Sequence, residues 1–206
     1  MSDAEAALDR ADMDRLVAGQ ETALNRLMER HGGRLYAYLV RLLQDEGEAE
    51  DLAQETFVRI YEHRTRFDHK GSFRTWMFAI AGNLVRDRFR WRMRHPETPL
   101  ETPTDDLPAG PVHDARHPNL TDPQRSPDAA ALGVERVQAV QEAIAALPPD
   151  LRMPLLLAEF EERSHAEIAT ILECTPKAVE MRLYRARLQL RQHLHRWLAE
   201  ETGLGA

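Results

Sequence analysis

Residues 72–95 read SFRTWMFAIAGNLVRDRFRWRMRH, and the period assigned to this stretch decides the fold. Its second half, RDRFRWRMRH (residues 86–95), sets an arginine at every second position, which on a period of two is a strand with one charged face. The first half does not fit that period. Phe73, Trp76, Met77, Ile80, Leu84 and Val85 follow the i, i+3, i+4 spacing of an amphipathic helix, and Ser72 stands where an N-cap belongs. Continued through Arg86, the helix stacks Arg86, Arg90 and Arg94 in one row and Arg88 and Arg92 in another. Five arginines against Asp87 give a local charge of +4, with Phe89, Trp91 and Met93 interleaved. Such a density of guanidiniums repels itself unless something anionic lies alongside. The helix macrodipole favours cations at a C-terminus, but it does not call for five arginines in nine residues.

Upstream, LNRLMERHGGRLYAYLVRLLQ (residues 24–44) repeats the helical spacing. Leu24, Leu27 and Met28 precede Gly32-Gly33, and Leu35, Tyr36, Leu39, Leu42 and Leu43 follow it. In GEAEDLAQETFVRIYEH (residues 47–63), Ala53, Phe57, Ile60 and Tyr61 share a face, with Asp51, Gln54, Glu55 and Glu62 largely elsewhere. A break, RTRFDHKGS (residues 64–72), joins it to the arginine helix.

Downstream the composition changes sharply. Between Pro96 and Gly133 lie eight of the twelve prolines, with seven acids against Arg116 and Arg125. Prolines remove backbone donors, and with almost no apolar periodicity this segment reads as a flexible acidic linker. It carries −5 of the net −7, so the blocks on either side are close to neutral.

The second block, residues 134–206, divides into four helices. Val134, Val137, Ile144, Ala145 and Leu147 mark the first, ended by Pro148-Pro149. Asp150 is expected to cap a short helix carrying Met153, Leu156, Leu157 and Phe160. Ser164 and Glu167 form a capping box for the third, whose inner face is Ile168, Ile171 and Leu172. After Glu173-Cys174-Thr175 the chain restarts with Thr175 as N-cap and Pro176 at the first helical position. Val179, Leu183, Leu190 and Leu194 point inward on this last helix, and Lys177, Arg182, Tyr184, Arg185, Arg187 and Arg191 lie on its other face. A short helix, a three-residue break and a basic second helix make a helix-turn-helix, whose N-terminal residues meet base edges while later arginines meet phosphate.

The fold class is therefore all-α: two small helical domains, residues 1–95 and 134–206, joined by the linker 96–133, with the helix-turn-helix in the second. No apolar run approaches the ~18 residues of a membrane span, so no direct membrane insertion is expected. The acidic start MSDAEAALDR lacks the order of a signal peptide, which gives a cytoplasmic reading. One cysteine, Cys174, provides neither a disulfide nor a metal cluster, so no metal or cofactor is expected. There is no HExxH, nucleophile elbow or phosphate-cradling glycine loop, which argues against an enzyme and against a small-molecule substrate.

Both blocks, in this order, resemble the extracytoplasmic-function (ECF) class of bacterial sigma factors. DLAQETFVRIYEH is similar to the "DLxQETF" signature of their second region, and GSFRTWMFAIAGNLVRDRFR to the promoter-reading helix after it. Residues 147–191, LPPDLRMPLLLAEFEERSHAEIATILECTPKAVEMRLYRARLQLR, resemble the fourth region. The resemblance implies that Asp51, Gln54 and Glu55 grip core RNA polymerase. It implies that the break captures a flipped base of the minus-ten element, with Phe67 for stacking and Arg66, His69 and Lys70 for phosphate. Asn83 would read the adjoining duplex edge, and Arg86, Arg90 and Arg94 would follow its phosphates. Ala79 and Ile80 stand where housekeeping relatives carry paired aromatics, which implies weaker strand opening and a narrow promoter set. Thr175, Lys177, Glu180, Met181, Arg182, Tyr184 and Arg185 would meet the minus-thirty-five element. Here the chain departs from the commoner pattern: Glu173 replaces a glycine of the turn, and Glu180 and Met181 replace a basic residue and a serine. The resemblance further implies a promoter-specificity subunit of a stress or envelope response, held by an anti-sigma factor. The competing reading is a dimeric helix-turn-helix regulator that binds an operator without polymerase.

Overall fold

The protein is described by a computed structural model that covers residues 3–69, 71–95 and 127–201. The N-terminal unit comprises α1 (Asp3–Val17), α2 (Thr22–Leu43), α3 (Glu46–Glu62), a 3-10 turn at Arg64–Arg66 and α4 (Phe73–Arg94). The C-terminal unit comprises α5 (Pro127–Ala145), α6 (Pro149–Glu159), α7 (His165–Ile171) and α8 (Pro176–Glu201). No strand occurs among the described residues. The all-α reading holds, and the stretch 72–95 is helical to Arg94.

Short-range signals set most helix ends. Asp45 caps α3 by accepting from the Glu48 amide at 2.8 Å, and Ser164 with Glu167 forms both halves of the capping box of α7. Three local expectations are corrected. Ser72 occupies the N-cap position of α4, but its hydroxyl makes no capping bond. Asp150 lies in the first turn of α6, after Pro148 and Pro149, instead of capping it. α5 begins at Pro127, inside the segment assigned to the linker, because proline suits the first helical turn and Ala129-Ala130-Ala131 is a strong helix former. Gly32 and Gly33 do not interrupt α2, which runs through both.

The N-terminal core is built from Leu27, Leu35, Tyr38, Leu39, Leu42, Phe57, Ile60, Phe73, Met77, Phe78 and Val85, with the Tyr38 and Phe78 rings edge-on at 5.1 Å. α1, which has little apolar periodicity, is held by charge as well as by Met13 and Leu16. Its Asp12, 2% exposed, accepts from Arg15 at 2.9 Å and from Arg26 and Arg30 at 2.8 Å. Asp9 pairs with Arg30 and with His31, the latter at 2.8 Å. Burial pushes the Asp12 carboxyl up, yet hydrogen bonds from Arg30, Arg26 and Arg15 leave it below the ordinary aspartate value.

The two units pack directly on each other, and one apolar cluster runs through both. Gly82 of α4 faces α6 and α7, with room for a methyl group at ordinary contact distance. A Cβ there would lie 3.5 Å from the Met153 Cε and 3.8 Å from the Ile171 Cγ2. Nearer the start of α4 the buried Arg74 donates to Glu161 at 2.8 Å, and Thr75 donates to Glu167 at 3.3 Å. Arg152 of α6 donates to the Leu42 carbonyl at the end of α2 at 2.7 Å and to the Leu147 carbonyl at 2.9 Å. Carbonyls at a helix C-terminus lack intrahelical donors, so one guanidinium here satisfies orphan acceptors from both units. Phe160, expected within this short helix, stands at its C-cap and is 38% exposed, with the Arg41 guanidinium 4.7 Å above its ring.

Candidate nucleic-acid interface

At about 100° per residue, Asn83, Arg86, Arg90 and Arg94 fall within one ~80° arc of α4, and Arg88 and Arg92 fall on the opposite side. The core-facing Ala81, Val85 and the partly buried Phe89 border the second pair. The structure gives that pair an internal partner. Glu48, in the first turn of α3 and 8% exposed, accepts from Arg88 Nε at 2.6 Å and from Arg92 at 2.7 Å, one arginine per carboxylate oxygen. These are charge-assisted lengths. Half of the question raised by the alternating arginines is thus answered inside the chain.

In the other row Arg90 and Arg94 are exposed and Arg86 is half-buried. Arg90 pairs with the neighbouring Asp87, both side chains being about two-thirds exposed. Arg94 donates to the Arg90 carbonyl at 3.2 Å. Arg86 donates to the Asn83 amide oxygen and lies 3.6 Å from the Glu173 carboxylate. Trp91 carries His95 stacked at 4.8 Å on one side and the Arg88 guanidinium 5.6 Å from its ring.

On α3, Asp51 and Gln54 are exposed and Glu55 is half-buried. Gln54 donates to Glu50 at 3.4 Å, and Glu55 accepts from Arg59 at 2.7 Å. In the break before α4, Arg66 and His69 are exposed, with His69 lying 3.4 Å from Asp14. Lys70 lies outside the described residues. Phe67 is 6% exposed, with ring centroids of Trp76, Phe73 and His69 at 5.3, 6.3 and 5.2 Å. Phe67, expected to stack on a base, here fills the gap beneath the loop, because an aromatic with apolar neighbours gains more from burial than from water.

In the C-terminal unit the break is one residue longer than expected, running from Leu172 to Thr175. Glu173 adopts φ of 52°, a left-handed conformation that glycine takes without cost. Thr175 accepts from the Ala178 amide at 3.2 Å, so it does cap α8. Lys177 hydrogen-bonds Glu180 at 2.9 Å and holds that carboxyl below its ordinary range. Met181, Tyr184 and Arg185 are exposed, and Arg182 is half-buried with its guanidinium 3.8 Å from the Cys174 sulfur. The 3.6 Å approach of Arg86 to Glu173 brings the outer row of α4 against the turn that leads into α8.

Reasoning from sequence missed Glu48, Arg74, Glu161 and Arg152. Glu48 is one of five acids in residues 45–51, and periodicity does not separate it from its neighbours.

Models of sigma-70 region 2 and sigma-70 region 4 match residues 27–95 and 137–190, in that order. The RNA polymerase sigma-H factor of Pseudomonas aeruginosa is 31% identical over 192 residues, 93% of this chain and 96% of that one. The ECF RNA polymerase sigma-E factor of Escherichia coli K12 is 30% identical over 183 residues, 89% and 92% of the two chains. The chain belongs to the ECF family of RNA polymerase sigma factors. A solved relative, CnrH in complex with the cytosolic domain of CnrY, superposes with a TM-score of 0.62 at 26% identity, covering 91% of this chain and 97% of that one. Sigma factors bind core RNA polymerase and promoter DNA, and they are transcription regulators in place of enzymes. The residues of α3 and α4 described above lie within the region 2 match, and Thr175 to Arg185 within the region 4 match. α1 falls outside both. Among the described residues no helix is long and apolar enough to cross a membrane, and no group of three or more His, Cys, Asp or Glu could hold a metal ion.

Proposed function

We propose that this sigma factor acts in the cytoplasm on a narrow stress or envelope-response promoter set, with its DNA and polymerase contacts divided by element. Residues 1–95 act as region 2, the segment after them as tether, and the rest as region 4. Asp51, Gln54 and Glu55 on α3 dock on core polymerase. Arg66, His69 and Lys70 hold the minus-ten strand, with Phe67 available to a base only if the loop lifts off Trp76. Asn83 reads the duplex edge, since an amide pairs bidentately with adenine, and Arg86, Arg90 and Arg94 follow its phosphates. Thr175, Lys177, Glu180, Met181, Arg182, Tyr184 and Arg185 face the minus-thirty-five element. The single observation that carries this reading is the common outward arc of Asn83 with the three arginines on α4.

Two elements about 25 base pairs apart are separated by roughly 85 Å of duplex, whereas here Arg86 and Glu173 are 3.6 Å apart. Binding both elements therefore requires the two units to part. An anti-sigma factor that held them together would keep the protein inactive. That CnrH was solved with the cytosolic domain of CnrY supports a protein partner of this kind. Transcription reconstituted with core polymerase on the gene's own upstream region tests the reading. Promoter-dependent initiation is expected, with no footprint from the protein alone. A palindromic footprint without polymerase would sink it in favour of an autonomous regulator.

A further inference from the structure

The five arginines of residues 86–94 do not form one charged surface. Glu48 takes two of them. It sits in the first turn of α3, where the helix dipole favours an anion. Each of its oxygens receives a separate guanidinium, and its side chain is 6% exposed. Arg88 and Arg92 by contrast keep 47% and 42% of their side-chain surface, so they stand in solvent and their charge is engaged by the carboxylate rather than hidden by burial. Arg90 has only an exposed partner one turn away, Asp87, of the kind that contributes little and yields to a competing anion.

We infer that Glu48 is a specificity-determining residue for promoter binding: by neutralising Arg88 and Arg92 it limits the phosphate-gripping charge of α4 to the arc shared with Asn83. Free arginines grip any duplex, because phosphate contacts carry no sequence information. Two extra ones would raise affinity for non-promoter DNA as much as for a promoter, or more. With the pair tied back, the remaining arginines and the base-reading amide act from one face, and phosphate binding is coupled to the register in which Asn83 meets its base. Glu48 acts through the arginines and touches no DNA itself. The inference rests on the proposed reading that the outer row of α4 follows promoter phosphates.

The test is the salt dependence of holoenzyme binding to a promoter fragment and to a non-promoter duplex of equal length. Each phosphate contact adds about 0.9 to the slope of log affinity against log salt. Arg90→Gln/Arg94→Gln is expected to flatten the slope by up to ~1.8, whereas Arg88→Gln/Arg92→Gln leaves it unchanged. Glu48→Gln is expected to steepen the slope on non-promoter DNA by up to ~1.8, which is about a tenfold greater loss between 50 and 200 mM salt, and to lower the promoter preference. Adding Arg88→Gln and Arg92→Gln to Glu48→Gln should restore the wild-type slope and preference. A merely structural Glu48 would not move the slope in that reversible way. If Arg88→Gln/Arg92→Gln flattens the slope, the two arginines touch phosphate and the inference is overturned, even should Glu48→Gln fail to fold. If Glu48→Gln folds and both slope and preference stay at wild type, it is overturned too. If Arg90→Gln/Arg94→Gln has no effect, it is the phosphate reading of α4 that fails.

Discussion

The two units of this sigma factor hold their charges by different means. In the N-terminal unit, ion pairs reach across helices: Asp9 and Asp12 of α1 to Arg26, Arg30 and His31 of α2, and Glu48 of α3 to Arg88 and Arg92 of α4. In the C-terminal unit Lys177–Glu180 lies within one turn of α8, Arg163–Glu167 ties the loop before α7 to its first turn, and the exposed Arg187–Glu159 pair joins α8 to α6. The long-range carboxylates are nearly inaccessible, whereas Lys177 and Glu180 are both largely exposed. A pair that spans two helices fixes their rotation relative to each other. A pair at i, i+3 only decorates a helix that would form without it. The outer face of α4 is therefore oriented by its neighbours, and that of α8 by its own capping and apolar stripe.

The largest test of this contrast lies where the units meet. Arg74→Ala strands the buried Glu161 carboxylate, and breaking one side of a buried pair costs on the order of 3–5 kcal/mol. A fall of that size in urea-measured stability is expected, with Arg74→Ala/Glu161→Ala recovering part of it. A loss below about 1 kcal/mol would mean that water reaches the pair freely and that the junction is loose.

Next in size is Asp12→Asn, which removes a carboxylate that ties α1 to α2. Hydrogen bonds to charged groups contribute about 1.5–3 kcal/mol each, so a loss in that range is expected at neutral pH. Because the Asp12 carboxyl sits below its ordinary value in the folded protein, its stabilisation is complete above about pH 4 and is lost as pH falls further. The gap between wild type and variant should narrow below about pH 4 in acid titrations followed by circular dichroism. A gap that stays constant down to about pH 2 would remove Asp12 from the charge network.

In the C-terminal unit the effects should be smaller and local. Ser164→Ala deletes the cap of α7 and is expected to cost about 1 kcal/mol, read as faster amide exchange in α7 with α1 to α3 unaffected. Glu173→Gly relieves the left-handed conformation at the turn and loses one exposed ion pair, for a net gain of up to about 1 kcal/mol. A net loss would show that the Arg86 contact matters more to the closed arrangement than its 3.6 Å separation and exposed carboxylate suggest.

How much was legible from sequence follows the same division. The helix through residues 72–95, the capping box at Ser164, the restart at Thr175-Pro176 and the outward placement of Tyr184 and Arg185 all depend on neighbours within a turn or two. Those signals survive in a one-dimensional string. The burial of Phe67 was not legible because it depends on Trp76 and Phe73 across a loop. α5 starts early because alanines following a proline outweigh the composition of the segment around them.

By itself the sequence determined the helical periods, the two-block order and the residue types available to polymerase and promoter, since these arise from local spacing and capping. Only the tertiary structure decided which arginines are tied to a buried carboxylate. Glu48 lies 40 residues from Arg88 and 44 from Arg92, and nothing in the local pattern distinguishes it from Glu46 or Glu50. A buried carboxylate selects its cations only when two helix faces meet, and the packing of α3 against α4 brings those faces together.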